Sequence, residues 1–177
     1  MADFCNCNPI TYPNLPPHIS FSNSERDDIM VQIVDLLLKS GLPNMNKNIA
    51  CGIAGNIKSE SDFNYTAIGD SGSSYGLCQW HDPNRMTKLF EFCKKNGYPK
   101  NSVEGQVKFL IEELKTTMKS AYNSVSTGSV LNNVSKVAEE FCLNFEKPEH
   151  KETECPKRAA NAIYVLGKYN KLKNQKS

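Results

Sequence analysis

From about residue 24 onward, apolar residues recur three and four positions apart, and the one extended stretch where that period breaks down is residues 61–82. The stripes are Ile29, Ile33, Leu36 and Leu37; Ile49, Ile53 and Ile57; Met86, Leu89, Phe90 and Cys93; Val107, Leu110, Leu114 and Met118; Val134, Val137, Ala138, Phe141 and Phe145; and Ala159, Ala160, Ile163 and Leu166. Each reads as one face of an amphipathic helix, and a chain built of such faces must bury them against one another. The expected fold is α+β but mainly α. Residues 61–82, with the turn-forming Gly69-Asp70-Ser71-Gly72, form a small irregular β-hairpin or loop.

Local signals set the expected boundaries. Ser24-Glu25-Arg26-Asp27 resembles a capping box and opens the first helix, which Gly41 and Pro43 stop. The second helix spans about residues 48–60. Its Ala50, Ala54 and Gly55 let another backbone approach closely, and a helical glycine, about 1 kcal/mol worse than alanine, needs such packing to compensate. Pro83 suits the first position of the third helix, which Gly97 ends, and a fourth follows Ser102. A fifth stops before Pro148 and the last opens at Pro156. Residues 1–23 hold Pro9, Pro13, Pro16 and Pro17 without a periodic stripe, which reads as an extended arm. One domain then covers residues 24–170, and residues 171–177 are a basic tail. There is no internal repeat.

Composition excludes several classes of function. A length of 177 residues fits one domain with a sizeable core, and 39% hydrophobic with 23% charged residues is ordinary for a globular protein. No apolar run approaches the roughly 20 residues of a membrane span. The N-terminus lacks a basic start followed by an apolar stretch, so no signal peptide is expected. A net charge of +2 is too small to argue for nucleic acid. Residues 168–176 gather four lysines without an acid, a solvated helix end that would also suit an anionic polymer.

Seven cysteines cannot all pair within one chain. Cys51, Cys78 and Cys142 sit among apolar residues and are expected to be buried, reduced thiols. Cys5-x-Cys7 has no matching His or Cys pair to complete a zinc site. No metal motif, phosphate-cradling loop or nucleophile elbow is present, so neither metal nor cofactor is expected.

The chemistry concentrates in GNIKSESDFNYTAIGDSGSSYGLCQW, residues 55–80. It sets Glu60 at a helix C-terminus, where the dipole disfavours an anion, ahead of a polar loop and an aromatic cluster. Desolvation against aromatic walls would favour its protonated form, as a general acid for a glycosidic oxygen requires.

Glu60-Ser61-x-Phe63-Asn64 followed by Gly72-x-x-x-Gly76-Leu77-x-Gln79 resembles the signature of goose-type lysozymes and bacterial lytic transglycosylases. With Gly69-Asp70 inside the run and Gln79-Trp80-His81 closing it, it is more like the tail-associated lysozymes of bacteriophages. Residues 85–97 and 106–114, Phe145-Glu146-x-Pro148 and Arg158-Ala159 are similar to later parts of that family, so the resemblance covers about residues 29–169.

The resemblance implies a lysozyme-like helical domain with a small β-hairpin beside the catalytic helix. It implies hydrolysis of the β-1,4 bond between N-acetylmuramic acid and N-acetylglucosamine, with Glu60 as the acid. Peptidoglycan is then the substrate, phage tail proteins are partners through the N-terminal arm, and the chain resides in the virion or in the host cytoplasm before release. A transglycosylase forming 1,6-anhydro ends and a non-catalytic wall-binding virion module are the alternatives. Asp70 stands where many lysozymes carry a second carboxylate that orients water or stabilises an oxocarbenium ion, and it is equally a turn former. Ser73 and Ser74 offer hydroxyls to a water or a sugar, Gln79 reaches an acetamido or sugar oxygen, and His81 flanks the cleft. Tyr75 and Trp80 either stack on sugar faces or belong to the core.

Overall fold

The computed structural model describes residues 15–81 and 84–175. Seven α-helices lie among them: α1 (Asn23–Leu38), α2 (Lys47–Ser61), α3 (Arg85–Asn96), α4 (Val103–Lys115), α5 (Lys119–Val125), α6 (Val134–Phe141) and α7 (Lys151–Gln175). Between α2 and α3 sit three two-residue strands, β1 (Ile68–Gly69), β2 (Ser74–Tyr75) and β3 (Trp80–His81), paired antiparallel in that order. Ile68 faces Tyr75, and Tyr75 in turn faces Trp80. The fold is mainly α with a small sheet, and no helix among the described residues is long and apolar enough to cross a membrane.

Helix α2 is the axis of the molecule. The Asn46 side chain caps it by accepting from the Ile49 amide at 3.0 Å, and every residue from Ile49 through Ile57 is buried. A helix buried on all sides needs small residues where its neighbours cross. A Cβ on Gly55 would lie 2.6 Å from the backbone Cα and N of Ala162 in α7, and one on Gly52 would run into Val137 of α6. The close approach expected from the glycine and alanine pattern is therefore made by α6 and α7. Packing of α2, α6 and α7 fixes the C-terminal end of α2, where Glu60 and Ser61 emerge.

Several boundaries differ from the sequence expectation. The cap of α1 is Ser22, not Ser24: the Ser22 hydroxyl accepts from the Glu25 amide at 3.3 Å, while the Glu25 carboxylate accepts from the Ser22 amide at 2.7 Å. The fourth stripe stops at Lys115, and residues 119–125 form the separate helix α5. After α6 the chain widens into a π-helical turn, Cys142–Glu146. Helix α7 starts at Lys151 rather than Pro156, because the His150 carbonyl already accepts from the Thr153 and Glu154 amides at 3.3 and 3.0 Å.

The chain entering α1 is packed on the domain. The Ile19 amide donates to Thr66 Oγ1 at 2.8 Å, the Asn64 side-chain amide donates to the Ile19 carbonyl at 2.8 Å, and the Phe21 and Tyr65 rings lie 5.0 Å apart. His18 Nδ1 lies 3.4 Å from the Thr66 carbonyl. The part of the arm that runs from residue 18 to residue 21 is thus docked on the folded body. At the other end α7 continues to Gln175, and Lys168 and Lys173 pair with Asp27 and Asp35 of α1 at 2.9 and 3.0 Å.

Candidate active site

Glu60 occupies the last turn of α2, and its side chain keeps 20% of its surface exposed. Its nearest charged partner is Arg158 of α7, whose Nη2 lies 2.6 Å from Glu60 Oε1 and whose side chain is only 7% exposed. Arg158 also donates from Nη1 to the Asn56 carbonyl at 3.5 Å, while its Nε is buried without a partner.

Glu146 ends the π-helical turn, and its Oε1 is shut from solvent with no hydrogen-bond partner. Burial, and then the Glu60 charge, push the Glu146 carboxyl up to about 8, against the opposite pull of Arg158 and Arg85. Further in, Glu113 of α4 is held by Arg85 of α3 through Nε and Nη2, both at 2.9 Å, and by the Trp80 indole N–H at 2.8 Å. Arg85 in turn stacks over the Phe145 ring with its guanidinium carbon 4.6 Å from the centroid. Sequence reasoning gave Glu146, Arg158 and Glu113 no role. The fragments Phe145-Glu146-x-Pro148 and Arg158-Ala159 were the available signal for two of them.

The motif residues around Glu60 hold the hairpin against the helix. Ser61 Oγ donates to the Leu77 carbonyl at 2.9 Å and so ties the residue after Glu60 to the far side of the hairpin. Asn64 Oδ1 accepts from the Thr66 amide and hydroxyl, both at 2.8 Å. Gly76, at φ +80°, lies against the Gln106 amide: a Cβ there would come 2.5 Å from Gln106 Oε1. That oxygen accepts from the Leu77 amide at 2.8 Å, and Gln106 Nε2 donates to the Tyr65 carbonyl at the same distance. Much of the spacing that carries the resemblance is thus a set of braces.

The remaining expected site residues divide by exposure. Asp70 is open, its side chain 68% exposed, and adopts φ 48° in a 3-10 turn. Its Oδ2 lies 3.9 Å from His81 Nε2, and Ser73 Oγ lies 3.1 Å from the same nitrogen. Ser74 is buried and donates from Oγ to Gln79 Oε1 at 2.8 Å. Gln79 Nε2 donates to the Gly76 and Ala67 carbonyls at 2.9 and 3.3 Å, so both ends of its amide are engaged within the hairpin.

Tyr75 and Trp80 are wholly buried, Tyr75 edge-on to Phe90 at 5.5 Å and Trp80 edge-on to Phe109 at 5.6 Å. Neither ring offers a face to a sugar. Of the two roles expected for them, their burial matches core packing rather than stacking on a sugar, with the Trp80 N–H satisfied by Glu113.

The cysteines also depart from expectation. Cys142 is not a free thiol: it forms a disulfide with Cys155, with Cα atoms 5.7 Å apart, and so joins the start of the π-helical turn to the start of α7. Cys51, Cys78 and Cys93 are free and buried, and burial pushes the Cys51 thiol up to about 12. Cys5 and Cys7 lie outside the described residues.

The sequence profile of the phage tail lysozymes matches residues 28–169, from the first helix through most of α7. The chain belongs to the phage tail lysozyme family. No curated relative matches it. The matched span includes Glu60, Glu113, Glu146 and Arg158 together with the whole hairpin. Membership of this family assigns a lysozyme-like, peptidoglycan-acting role in a bacteriophage, of the glycoside hydrolase type.

Proposed function

We propose that this phage tail lysozyme hydrolyses the β-1,4 bond between N-acetylmuramic acid and N-acetylglucosamine, with Glu60 as the general acid. The observation that carries the reading is the mounting of Glu60. It closes a helix that is buried from Ile49 through Ile57, its neighbour Ser61 is bonded to the hairpin, and its carboxyl group still reaches solvent. A carboxyl mounted on a packed helix and still partly exposed needs little reorganisation to meet a glycosidic oxygen. Asp70, exposed on the hairpin beside His81, is the group we assign to steering water or stabilising positive charge on the sugar ring. Residues 1–14 are proposed to attach the enzyme to the tail, from which it would act on the host wall.

A second reading, transglycosylation with an intramolecular 1,6-anhydro product, is favoured by one observation. Asp70 is largely in solvent, and such an enzyme needs no second carboxylate. Mass spectrometry of peptidoglycan fragments distinguishes the two, because hydrolysis leaves reducing muramic acid ends and adds one water per cut. Glu60→Gln should fold as wild type and release less than a few per cent of the fragments. Substantial release by that variant would remove Glu60 from the role.

A further inference from the structure

We propose that Arg158 is a positioning residue for Glu60: its buried guanidinium lies on one carboxyl oxygen, Oε1, and so leaves the proton that Glu60 donates on the other, Oε2. This rests on the reading of Glu60 as the acid. A guanidinium carries five N–H donors and no acceptor, and it keeps its own proton in a protein. Arg158 Nη2 stands 2.6 Å from Glu60 Oε1. A hydrogen on Oε1 would point at a cation unable to accept it. In the protonated carboxyl group Oε1 is therefore the carbonyl oxygen, and Oε2 bears the hydrogen.

The crossing of α2 and α7 keeps the guanidinium in this place. The helices approach most tightly where a Cβ on Gly55 would lie 2.6 Å from the Ala162 backbone. Nearby, the Asn161 side-chain amide donates to Ser59 Oγ at 2.9 Å, and Arg158 Nη1 reaches the Asn56 carbonyl at 3.5 Å. Arg158 thus lies on the same contact, four residues before Ala162. Three residues before it, Cys155 is bonded to Cys142, which ties this part of α7 to the turn after α6. The Arg158 side chain is only 7% exposed against 20% for Glu60, so the guanidinium is the fixed member of the pair and the carboxyl group is the guided one. A planar fork also loses less freedom than a lysine chain in holding a carboxyl group.

During cleavage the Oε2–H bond breaks as the glycosidic oxygen takes the proton. That oxygen keeps the electron pair of the breaking sugar C–O bond, and the pair of the O–H bond stays on Glu60. Negative charge then forms on a carboxylate whose counter-ion is already in place.

Arg158→Met removes every donor while filling most of the same space, and it frees the carboxyl group to turn. On purified glycan strands kcat per folded enzyme is expected to fall about a hundredfold with KM within about threefold, because a misaimed proton is felt in the transition state rather than in binding. Arg158→Lys returns a donor-only cation and should recover about tenfold of that loss. Wild-type kcat in Arg158→Met overturns the proposal. So does a KM that rises while kcat holds, or a lysine variant no faster than the methionine one.

Infrared spectroscopy reads the carboxyl group without any catalysis. The difference spectrum between wild type and Glu60→Gln at acid pH isolates the C=O stretch of protonated Glu60. The same difference taken in the Arg158→Met background should show that stretch at higher wavenumber, because the carbonyl oxygen has lost its N–H donors. An identical stretch in both backgrounds means that Oε1 is not the carbonyl oxygen held by Arg158, and it too overturns the proposal. Failure of the Glu60 assignment would look different, as wall cleavage surviving in Glu60→Gln.

Discussion

Burial and the facing Glu60 carboxylate raise the Glu146 carboxyl from 4.5 to about 8 in the folded protein, whereas in the unfolded chain it ionises as an ordinary glutamate. Between those values the native state holds a proton that the unfolded state has released. The associated stability is complete below pH 4.5 and is lost as pH rises to about 8. Wild-type melting temperature should therefore fall from pH 5 to pH 8, and that of Glu146→Gln should fall less. Calorimetry at three pH values checks this, and identical slopes would count against a buried, proton-holding Glu146. Asp70 calls for a different test. Its φ of 48° suits asparagine at least as well as aspartate, so Asp70→Asn should hold stability within roughly 1 kcal/mol. Loss of the charge should still slow wall clearing about tenfold, whereas full turnover would leave Asp70 as a turn former. Residue roles were only partly legible in the sequence. Glu60 stood out by its place in a motif, but Trp80 and Tyr75 have the same composition signature whether they line a cleft or fill a core. Only their full burial separates the two.

At the scale of elements, the helical period identified the main helices, and the small residues of α2 announced its close packing. What escaped was whatever depends on contacts distant in sequence or on a local choice between equivalent signals. Ser22-Asn23-Ser24-Glu25 and Ser24-Glu25-Arg26-Asp27 both have the spacing of a capping box, and the helix uses the first, whose Glu25 carboxylate accepts from the Ser22 amide. Cys142 and Cys155 are 13 residues apart, and no sequence spacing reveals that the π-helical turn brings them together. Closing a loop of that length should stabilise the fold by roughly 3 kcal/mol. The double variant Cys142→Ser, Cys155→Ser should lose about that amount in urea unfolding, and an unchanged midpoint would mean the bond contributes nothing. Gly55 offers a sharper case, because two effects oppose. Alanine there gains about 1 kcal/mol of helix propensity. Its methyl group would meet the Ala162 backbone at 2.6 Å, and backbone cannot swing aside as a side chain can. Overpacking of this kind costs about 1–3 kcal/mol, so Gly55→Ala should be net destabilising, with α2 and α7 forced apart.

For the molecule as a whole, the decisive boundary is the N-terminal one. The lack of an apolar stripe before residue 24 reads as an extended arm, and residues 15–22 dock without needing a stripe. They do so through backbone and side-chain hydrogen bonds to Asn64 and Thr66, both buried, in the loop that carries the chain from Glu60 to the hairpin. A chain starting at residue 15 keeps all of these and should unfold and clear walls as the full chain does. A chain starting at residue 23 loses the Ser22 cap, about 1 kcal/mol, and leaves the Asn64 amide and Thr66 hydroxyl without their Ile19 partners, about 1–3 kcal/mol more. It also loses the Phe21 ring from its place against Tyr65, whose carbonyl is one of the anchors of Gln106 and hence of Leu77. The damage should therefore reach the site: the shorter chain is expected to unfold at lower urea and to cut purified glycan more slowly even at temperatures where it is folded. Parallel urea titrations and fragment release from both truncations measure the two effects separately. Equal stability and equal cutting would make residues 15–22 a passive strap, whereas lost stability with wild-type cutting would confine their role to holding the fold.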